Sequence, residues 1–273
     1  MSITLTPSET ATIRAFGDAR RAAKALPDFP GAIPDDSARA YAMQDAAINA
    51  WDDALTGWKV ALVRADLRAA FGSERLAGPV FKRGTWQAQA GQGTDLPVIP
   101  GGFAAVEAEF VIVMGADAPA FGRLPSLEEA ASLVGSLHIG IELAGSPLKT
   151  LNDLGAFAIA PDFGNNTGVI IGSAIADWAK KDPATLTARM EVDGVEVGKG
   201  SAANLPNGPL GALAYLIHHL EGRSRPLGKG QIVSTGATTG VHVIAPGQSF
   251  SADFGAFGTL SGRIIPAKPL SGG

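Results

Sequence analysis

Two glutamates on an otherwise apolar segment are the residues best placed to do chemistry in this sequence. The segment Val106-Glu107-Ala108-Glu109-Phe110-Val111 has the pattern of a β-strand, and residues two apart on a strand share one face. Glu107 and Glu109 should therefore point the same way, with Cα atoms about 6.6 Å apart, so both carboxylates can reach one cation. The alternative is an edge strand whose solvated face carries two acids.

A third glutamate lies on a second strand-like segment, residues 138–144. Alternation places Glu142 on one face with Gly140 and Ala144, and these small neighbours indicate an open pocket beside the acid. The alternative is a single buried ion pair or a residue at the rim of a site. Together with Glu107 and Glu109, Glu142 would complete an oxygen-only site, which suits magnesium or manganese better than zinc.

Lys59 is the next candidate because it interrupts the apolar segment Gly57-Trp58-Lys59-Val60. A long lysine side chain can run along apolar surface and place its ammonium group in water, which would make this residue structural. The functional alternative is a lysine held beside carboxylates or beside the acid group of a substrate. The residue pattern leaves both readings open.

The elements that must position these residues change in character along the chain. A helix is predicted over 7–26, with Ser8 as its cap, and a second helix begins at Asp36 or Ser37. After residues 57–63, which are predicted as a strand, short Val- and Ile-rich runs alternate with Gly, Pro and Asn. These runs predict strands at 106–114, 137–143, 169–171, 186–192, 232–234, 241–244 and 260–265.

Two helices and a hairpin interrupt this β-rich part. Ser126 and Glu129 form a capping box that predicts a helix over 126–136, and a further helix is predicted over 209–221. Asp193-Gly194 between two short runs predicts a hairpin. The sequence therefore predicts an α+β fold, with a mainly helical part over 1–80 and a β-rich domain over 81–273, which would carry the catalytic residues if the protein is an enzyme.

Composition and charge exclude several classes of function. The chain of 273 residues has 22 Lys and Arg against 26 Asp and Glu, with no basic block, so we expect no nucleic-acid partner. It has no cysteine, which excludes disulfides and thiolate metal sites and is typical of a reducing cytosol. No apolar stretch approaches about 18 residues, and no signal-peptide pattern is present, so we expect a cytoplasmic protein without membrane contact.

Searches for other catalytic motifs find no match. The four histidines, His138, His218, His219 and His242, are not spaced as zinc-protease ligands. The sequence has no serine elbow of the Gly-x-Ser-x-Gly form. It also lacks a phosphate loop and a complete dinucleotide fingerprint, so nucleotide cofactors are not expected.

Five segments, taken in order, resemble a known family. They are Gly57-Trp58-Lys59-Val60, Gly78-Pro79-Val80-Phe81, the segment that carries Glu107 and Glu109, Gly140-Ile141-Glu142-Leu143-Ala144-Gly145-Ser146-Pro147, and residues 228–236 with Thr235-Gly236 near their end. This set is similar to the 2-keto-4-pentenoate hydratase branch of the fumarylacetoacetate hydrolase superfamily. The likeness extends from about residue 24 to residue 265, and the segments are specific as a set rather than singly.

The resemblance implies a fold, a metal and a set of site residues. The fold would be a mixed β-sandwich roll of the fumarylacetoacetase C-terminal type with a small helical N-terminal part, in a homo-oligomer. Magnesium or manganese would bind to Glu107, Glu109 and Glu142. Catalysis would use Lys59 and Glu142, and the substrate would be bound by Lys59, Thr235 and Gly236.

The reaction implied by the resemblance is the metal-dependent addition of water to a 2-hydroxy-2,4-dienoate or 2-oxo-enoate. The product would be a 4-hydroxy-2-oxo acid, formed in the breakdown of aromatic compounds. A 2-oxo acid offers two adjacent oxygens to a metal, and the enolate formed from it develops charge at the C2 oxygen, where a metal stabilises it. Decarboxylation and carbon–carbon hydrolysis can use the same enolate, so both are alternatives. A non-catalytic protein that binds a 2-oxo acid, or a structural partner subunit, is an alternative of another class.

The sequence departs from the hydratase pattern at three places, and one of them is the segment 162–168, which only loosely matches an asparagine- and serine-rich segment of the hydratases. Arg75-Leu76-Ala77 precedes Gly78 where many hydratases of this type have an aspartate, and Ala144-Gly145 follows Glu142 where another aspartate is familiar. The group that directs water is therefore not identified from the sequence. Residues 81–96 lack the His-x-x-Glu dyad of acylpyruvate-type hydrolases, which argues against hydrolysis.

Overall fold

The computed structural model of the chain describes residues 3–89 and 91–270, and it begins with two helices. Helix α1 (Pro7–Ala22) is capped by Thr6, whose hydroxyl accepts a hydrogen bond from the Glu9 N–H in a capping box. The predicted cap at Ser8 is therefore wrong, because Pro7 already occupies the first helical position, where its missing N–H costs nothing. Helix α2 (Ser37–Asn49) begins after its cap Asp36, as predicted.

Five further α-helices and thirteen strands are present in the described residues. The helices are α3 (Arg68–Phe71), α4 (Leu127–Ser132), α5 (Leu151–Leu154), α6 (Ala156–Ile159) and α7 (Gly208–Gly222). The strands are β1 (Leu55–Leu62), β2 (Arg75–Phe81), β3 (Thr85–Gln87), β4 (Thr94–Val98), β5 (Phe103–Met114), β6 (Val134–Ser146), β7 (Asn166–Ala174), β8 (Thr187–Val192), β9 (Val195–Ser201), β10 (Ile232–Ser234), β11 (His242–Val243), β12 (Ser249–Asp253) and β13 (Thr259–Pro266). None of these described helices has the length and apolar character needed to cross a membrane.

The strands form two mixed sheets, which confirms the predicted α+β class. The larger sheet has the order β2-β1-β10-β5-β6-β7-β3, with β11 also paired to β5, and the smaller sheet has the order β4-β13-β12-β8-β9. Apolar side chains from both sheets form one shared core. In that core the ring of Phe110, on β5, meets the ring of Phe254, which follows β12, edge to face with centroids 5.7 Å apart.

Strands from the first 80 residues belong to the larger sheet. Strand β1 pairs in parallel with β10, so that Lys59 is the Cα partner of Ser234, and β1 pairs antiparallel with β2. The division of the chain at residue 80 stays a prediction. A functional site that uses β1 together with β10 therefore combines residues from both parts.

The helix predicted over 126–136 is shorter than expected. The capping box of Ser126 and Glu129 is confirmed, but α4 ends at Ser132 and β6 begins two residues later. The pairing of β6 with β5 ends the helix early, because Met114 and Val134 are already Cα partners across the two strands. Tertiary pairing here overrides the local helical preference.

Candidate metal centre

The three predicted acids meet on the antiparallel pair of strands β5 and β6. Glu107 is the Cα partner of Glu142, and Glu109 is the partner of Gly140, so alternation brings all three side chains to one face. All three are buried, and one carboxylate oxygen from each lies within 4.8 Å of the others. Strand β5 lies between β10 and β6, so the alternative of a solvated edge strand is wrong.

One oxygen of Glu109 is held by two donors and the other is not. The Ser234 hydroxyl donates to Oε2 at 2.6 Å, and the Gly236 N–H donates to the same oxygen at 2.9 Å. Oε1 is buried and has no hydrogen-bond partner among the described residues. A buried carboxylate oxygen without a partner is costly, and a cation bound at Oε1 of Glu109 would remove that cost.

Glu142 repeats this arrangement on the neighbouring strand. Its Oε1 accepts a hydrogen bond from Asn166 Nδ2 at 2.9 Å and lies 3.4 Å from Lys59 Nζ. Its Oε2 is buried without a partner in the described structure. Lys59 is 4% exposed, so it is not a lysine whose ammonium reaches water, and its charge is directed at the acid cluster.

Burial of three acids beside one lysine sets the electrostatics of the site. Burial, followed by the charge of Glu142, raises the pKa of Glu107 to about 8, and Lys59 offsets this in part. Burial, followed by the charges of Glu142 and Glu107, raises the pKa of Glu109 well above its usual range, against the hydrogen bonds from Ser234 and Gly236.

When all four groups are ionised, three carboxylates and one ammonium leave two negative charges without a counter-charge. A divalent cation supplies that charge, and oxygen-only ligands suit magnesium or manganese. The two unpartnered oxygens, Oε1 of Glu109 and Oε2 of Glu142, are available to bind the cation. The residues therefore fit the predicted metal.

Thr235 and Gly236 lie behind Glu109. The Thr235 hydroxyl donates to the Phe110 carbonyl at 2.7 Å, and this side chain is fully buried. Gly236 has φ of 118°, a conformation that favours glycine, and this backbone directs its N–H to Glu109. Gly236 thus fixes the Glu109 carboxylate directly, and Thr235 anchors the adjoining backbone to β5. Their predicted contact with the substrate stays a prediction.

Ser234 and Asn166 are site residues that the sequence analysis did not identify. Ser234 is a polar residue at the end of the apolar run Ile232-Val233-Ser234, and that contrast was the available signal. Asn166 lies in a polar segment and carries no such contrast. Its role depends on how β7 pairs with β6, which residue types alone do not specify.

A cavity of about 280 Å³ opens beside Lys59 and Glu107. Its wall is mainly apolar and includes Val63, Leu67, Leu76, Ile159, Leu205 and Val241. Polar groups come from Arg64 and from Asn152 and Asn165, whose amides are joined at 2.9 Å. Among the lining residues that the structure describes, Glu107 is the only acid and no histidine is present.

Comparisons with known proteins agree with this geometry. The model of the fumarylacetoacetate hydrolase C-terminal family matches residues 71–265. The chain is similar to 4-oxalocrotonate decarboxylase of Pseudomonas putida, with 26% identity over 59% of this chain and 60% of that protein. It is also similar to the enzyme of the same name from Pseudomonas sp. (strain CF600), with 28% identity over 40% of this chain and 41% of that protein. The matches thus span less than two thirds of either relative.

Solved structures show the same fold. The 4-oxalocrotonate decarboxylase from Pseudomonas putida G7, complexed with magnesium and adipate, superposes with a TM-score of 0.79 at 23% identity, covering 96% of this chain and 99% of that one. A fumarylpyruvate hydrolase from Pseudomonas aeruginosa, in complex with Mn2+ and pyruvate, gives a TM-score of 0.57 at 17% identity, covering 80% and 93% of the two chains.

Proposed function

The chain belongs to the fumarylacetoacetate hydrolase C-terminal family, and from that membership we propose that it is a metal-dependent decarboxylase of an unsaturated 2-oxo dicarboxylic acid. The observation that carries the proposal is the buried acid triad with Lys59, which opens onto a cavity whose described wall is mainly apolar. The similarity to two 4-oxalocrotonate decarboxylases supports it.

The reaction would be the loss of the distal carboxylate of a 2-oxohex-3-enedioate. Magnesium or manganese on Glu107, Glu109 and Glu142 would polarise the 2-oxo acid group. The C5–C6 bond breaks, CO2 leaves, and the electron pair moves through the C3=C4 double bond to the C2 oxygen. Lys59 would orient that oxygen and give it a proton, which yields 2-hydroxypenta-2,4-dienoate.

The cavity wall supports decarboxylation in two ways. The apolar part of the wall, away from Arg64 and Lys59, disfavours a carboxylate relative to neutral CO2, because a charge without water or a partner is costly. Adding water to the substrate would require a group that directs the water. In the described wall, Glu107 is the one acid, and it belongs to the metal centre.

Hydration, which the sequence analysis predicts, is the second candidate because of Asn165. This side chain lines the cavity, donates to Asn152 through Nδ2, and has a buried Oδ1 without a partner among the described residues. An amide oxygen in that state could accept a hydrogen bond from the attacking water. The predicted homo-oligomer and cytoplasmic location stay predictions.

Product analysis tests the proposal. Purified protein with magnesium is supplied with 2-oxohex-3-enedioate and, separately, with 2-hydroxypenta-2,4-dienoate, while CO2 and dienoate absorbance are followed. Decarboxylation predicts CO2 release from the first compound and no loss of the second. Glu142→Gln should abolish turnover, whereas Glu196→Gln, at the surface, should not alter it.

Two other results would replace the proposal. Consumption of the dienoate without CO2 release would identify a hydratase. If the unmodified protein consumes neither compound at any magnesium concentration, while oxalate or pyruvate still binds, the chain is a binding protein.

A further inference from the structure

A β-bulge lies beside the metal centre, where β7 pairs with β6. Leu143 is the Cα partner of Gly168, but the next residue, Ala144, is the partner of Asn166. Thr167 is therefore an extra residue on β7. A bulge changes the direction of the side chains around it, and here the residue beyond the bulge is Asn166, whose amide donates to Glu142.

One guanidinium group holds both sides of this bulge. Arg20, on α1, donates from Nη1 to the Asn166 carbonyl on β7 at 3.1 Å and from Nη2 to the Gly145 carbonyl on β6 at 2.9 Å. Its Nε donates to Asp162 Oδ1 at 2.7 Å. The Arg20 side chain is 9% exposed and that of Asp162 is fully buried, so these contacts form away from water.

We propose that Arg20 is a positioning residue for the metal centre and acts through Asn166 to hold Glu142. With Oε1 of Glu142 fixed by Asn166, Oε2 is the oxygen left for the cation. Arg20 lies outside the segment that matches the family, residues 71–265, so an N-terminal helix stabilises a site built by another part of the chain. The inference rests on the metal centre of the proposed function and not on the reaction.

Lysine cannot replace this arginine. The guanidinium has five N–H donors in a rigid planar fork, whereas an ammonium group is a single compact charge. Arg20→Lys should keep a positive charge near Asp162 but cannot bond to Asp162, Asn166 and Gly145 in the same way. Complete removal of the Arg20 charge would leave Asp162 buried without its cationic partner, which destabilises a fold strongly.

Manganese binding to the metal-free protein, measured by calorimetry, tests the proposal. Asn166→Ala should weaken binding about 10- to 100-fold, the usual effect of losing a residue that holds a metal ligand. Arg20→Lys should weaken it by about tenfold. The double variant should bind no more weakly than Asn166→Ala alone, because Arg20 acts through Asn166.

Arg21→Lys is the matched control. Arg21 is the next residue on α1, but it pairs with Asp18 at the surface, so manganese affinity should stay within about twofold of the unmodified protein. Thermal unfolding of each variant is measured alongside binding. If Arg20→Lys does not fold, the neutral pair Arg20→Gln with Asp162→Asn replaces it in the same comparison.

Three results would overturn the proposal. Arg20→Lys could lower thermal stability and leave manganese affinity unchanged, which would make Arg20 a structural residue only. Alternatively, the effects of the two single variants could multiply in the double variant, which would show that Arg20 and Asn166 act separately. If the unmodified protein binds no manganese, the metal centre itself is wrong, and the inference fails with it.

Discussion

Two groups of side chains in this protein have the same charge composition, three acids and one base, but lie in opposite surroundings. The metal-centre acids are buried on the larger sheet beside one lysine: Glu107, Glu109 and Glu142 with Lys59. The surface acids surround one arginine on the smaller sheet at distances of 3.2, 3.9 and 3.4 Å: Glu191, Glu196 and Asp253 around Arg189.

Water makes the difference between the two groups. The surface acids and Arg189 have side chains 29–47% exposed, so solvent and salt screen their excess negative charge. The metal-centre acids have no such solvent, and their excess charge must be neutralised by protons or by a bound cation. The same composition therefore gives a solvated ion-pair group in one sheet and a cation site in the other.

Glu109→Gln should have the largest effect, because it removes an acid whose free oxygen the cation needs. At a magnesium concentration 100 times the dissociation constant, the metal should stabilise the unmodified protein by about 2.7 kcal/mol. The variant should lose this stabilisation. Scanning calorimetry with magnesium and with a chelator measures it, and an unchanged magnesium shift in the variant would contradict the metal centre.

Lys59→Met should reduce kcat/KM by at least about 100-fold, within the range for a positioned acid–base group. Methionine keeps the packing of the stem and removes the ammonium, so metal binding should persist. Arg189→Met, the matching change among the surface acids, should leave kcat/KM unchanged. If Lys59→Met keeps most of its activity and loses only thermal stability, the lysine is structural.

His219 extends the comparison to a half-buried base. Its ring stacks on Tyr215 and lies against Tyr41, with Arg223 Nη1 3.2 Å from Nε2. Burial, then the charges of Arg223 and His218, lowers the pKa of His219 to about 3. The unfolded chain, with a pKa of about 6.5, binds a proton first as the pH falls. The folded state should therefore lose about 2 kcal/mol of stability between pH 7 and pH 5.

Urea unfolding at the two pH values measures this loss. His219→Gln should remove most of this contribution to the pH dependence, whereas His218→Gln, at an exposed neighbouring position, should keep it. Equal pH dependence in the two variants would show that the lowered pKa of His219 does not contribute to acid sensitivity.

Glu196→Gln should have the smallest effect. An exposed ion pair contributes about 0–1 kcal/mol, and Arg189 keeps two other acids as partners. We expect no change in magnesium binding and a change in unfolding free energy below about 0.5 kcal/mol. A change in magnesium affinity of tenfold would contradict the separation of the two groups.

The acids of the metal centre were predictable because period-two alternation alone places Glu107 and Glu109 on one face of β5. The contacts that hold them were not predictable in this way. Ser234 reaches Glu109 through the pairing of β10 with β5, and Asn166 reaches Glu142 through a bulge. Arg20 comes from a helix distant in sequence. Strand register and long-range contacts decide these positions, and neither leaves a periodic pattern in the residues.

Secondary structure shows the same contrast between elements that local residues predict and elements that depend on long-range pairing. The hairpin at Asp193-Gly194 follows the prediction, since both residues adopt positive φ as a tight turn requires. The strand β12 was not predicted, because Ser249–Asp253 has too few β-branched residues to stand out. Its place in the smaller sheet depends on pairing with β8 and β13.

The pairing of β1 with β10 has a consequence for folding kinetics. It joins segments separated by most of the chain, and contacts between distant segments form slowly because a long loop must close first. The antiparallel pairing of β5 with β6 joins segments much closer in sequence, so its three acids should meet in water before Lys59 and Ser234 cover them. Magnesium can then bind while the acids are still hydrated. We expect pulsed hydrogen exchange during refolding to protect β5 and β6 before β1 and β10.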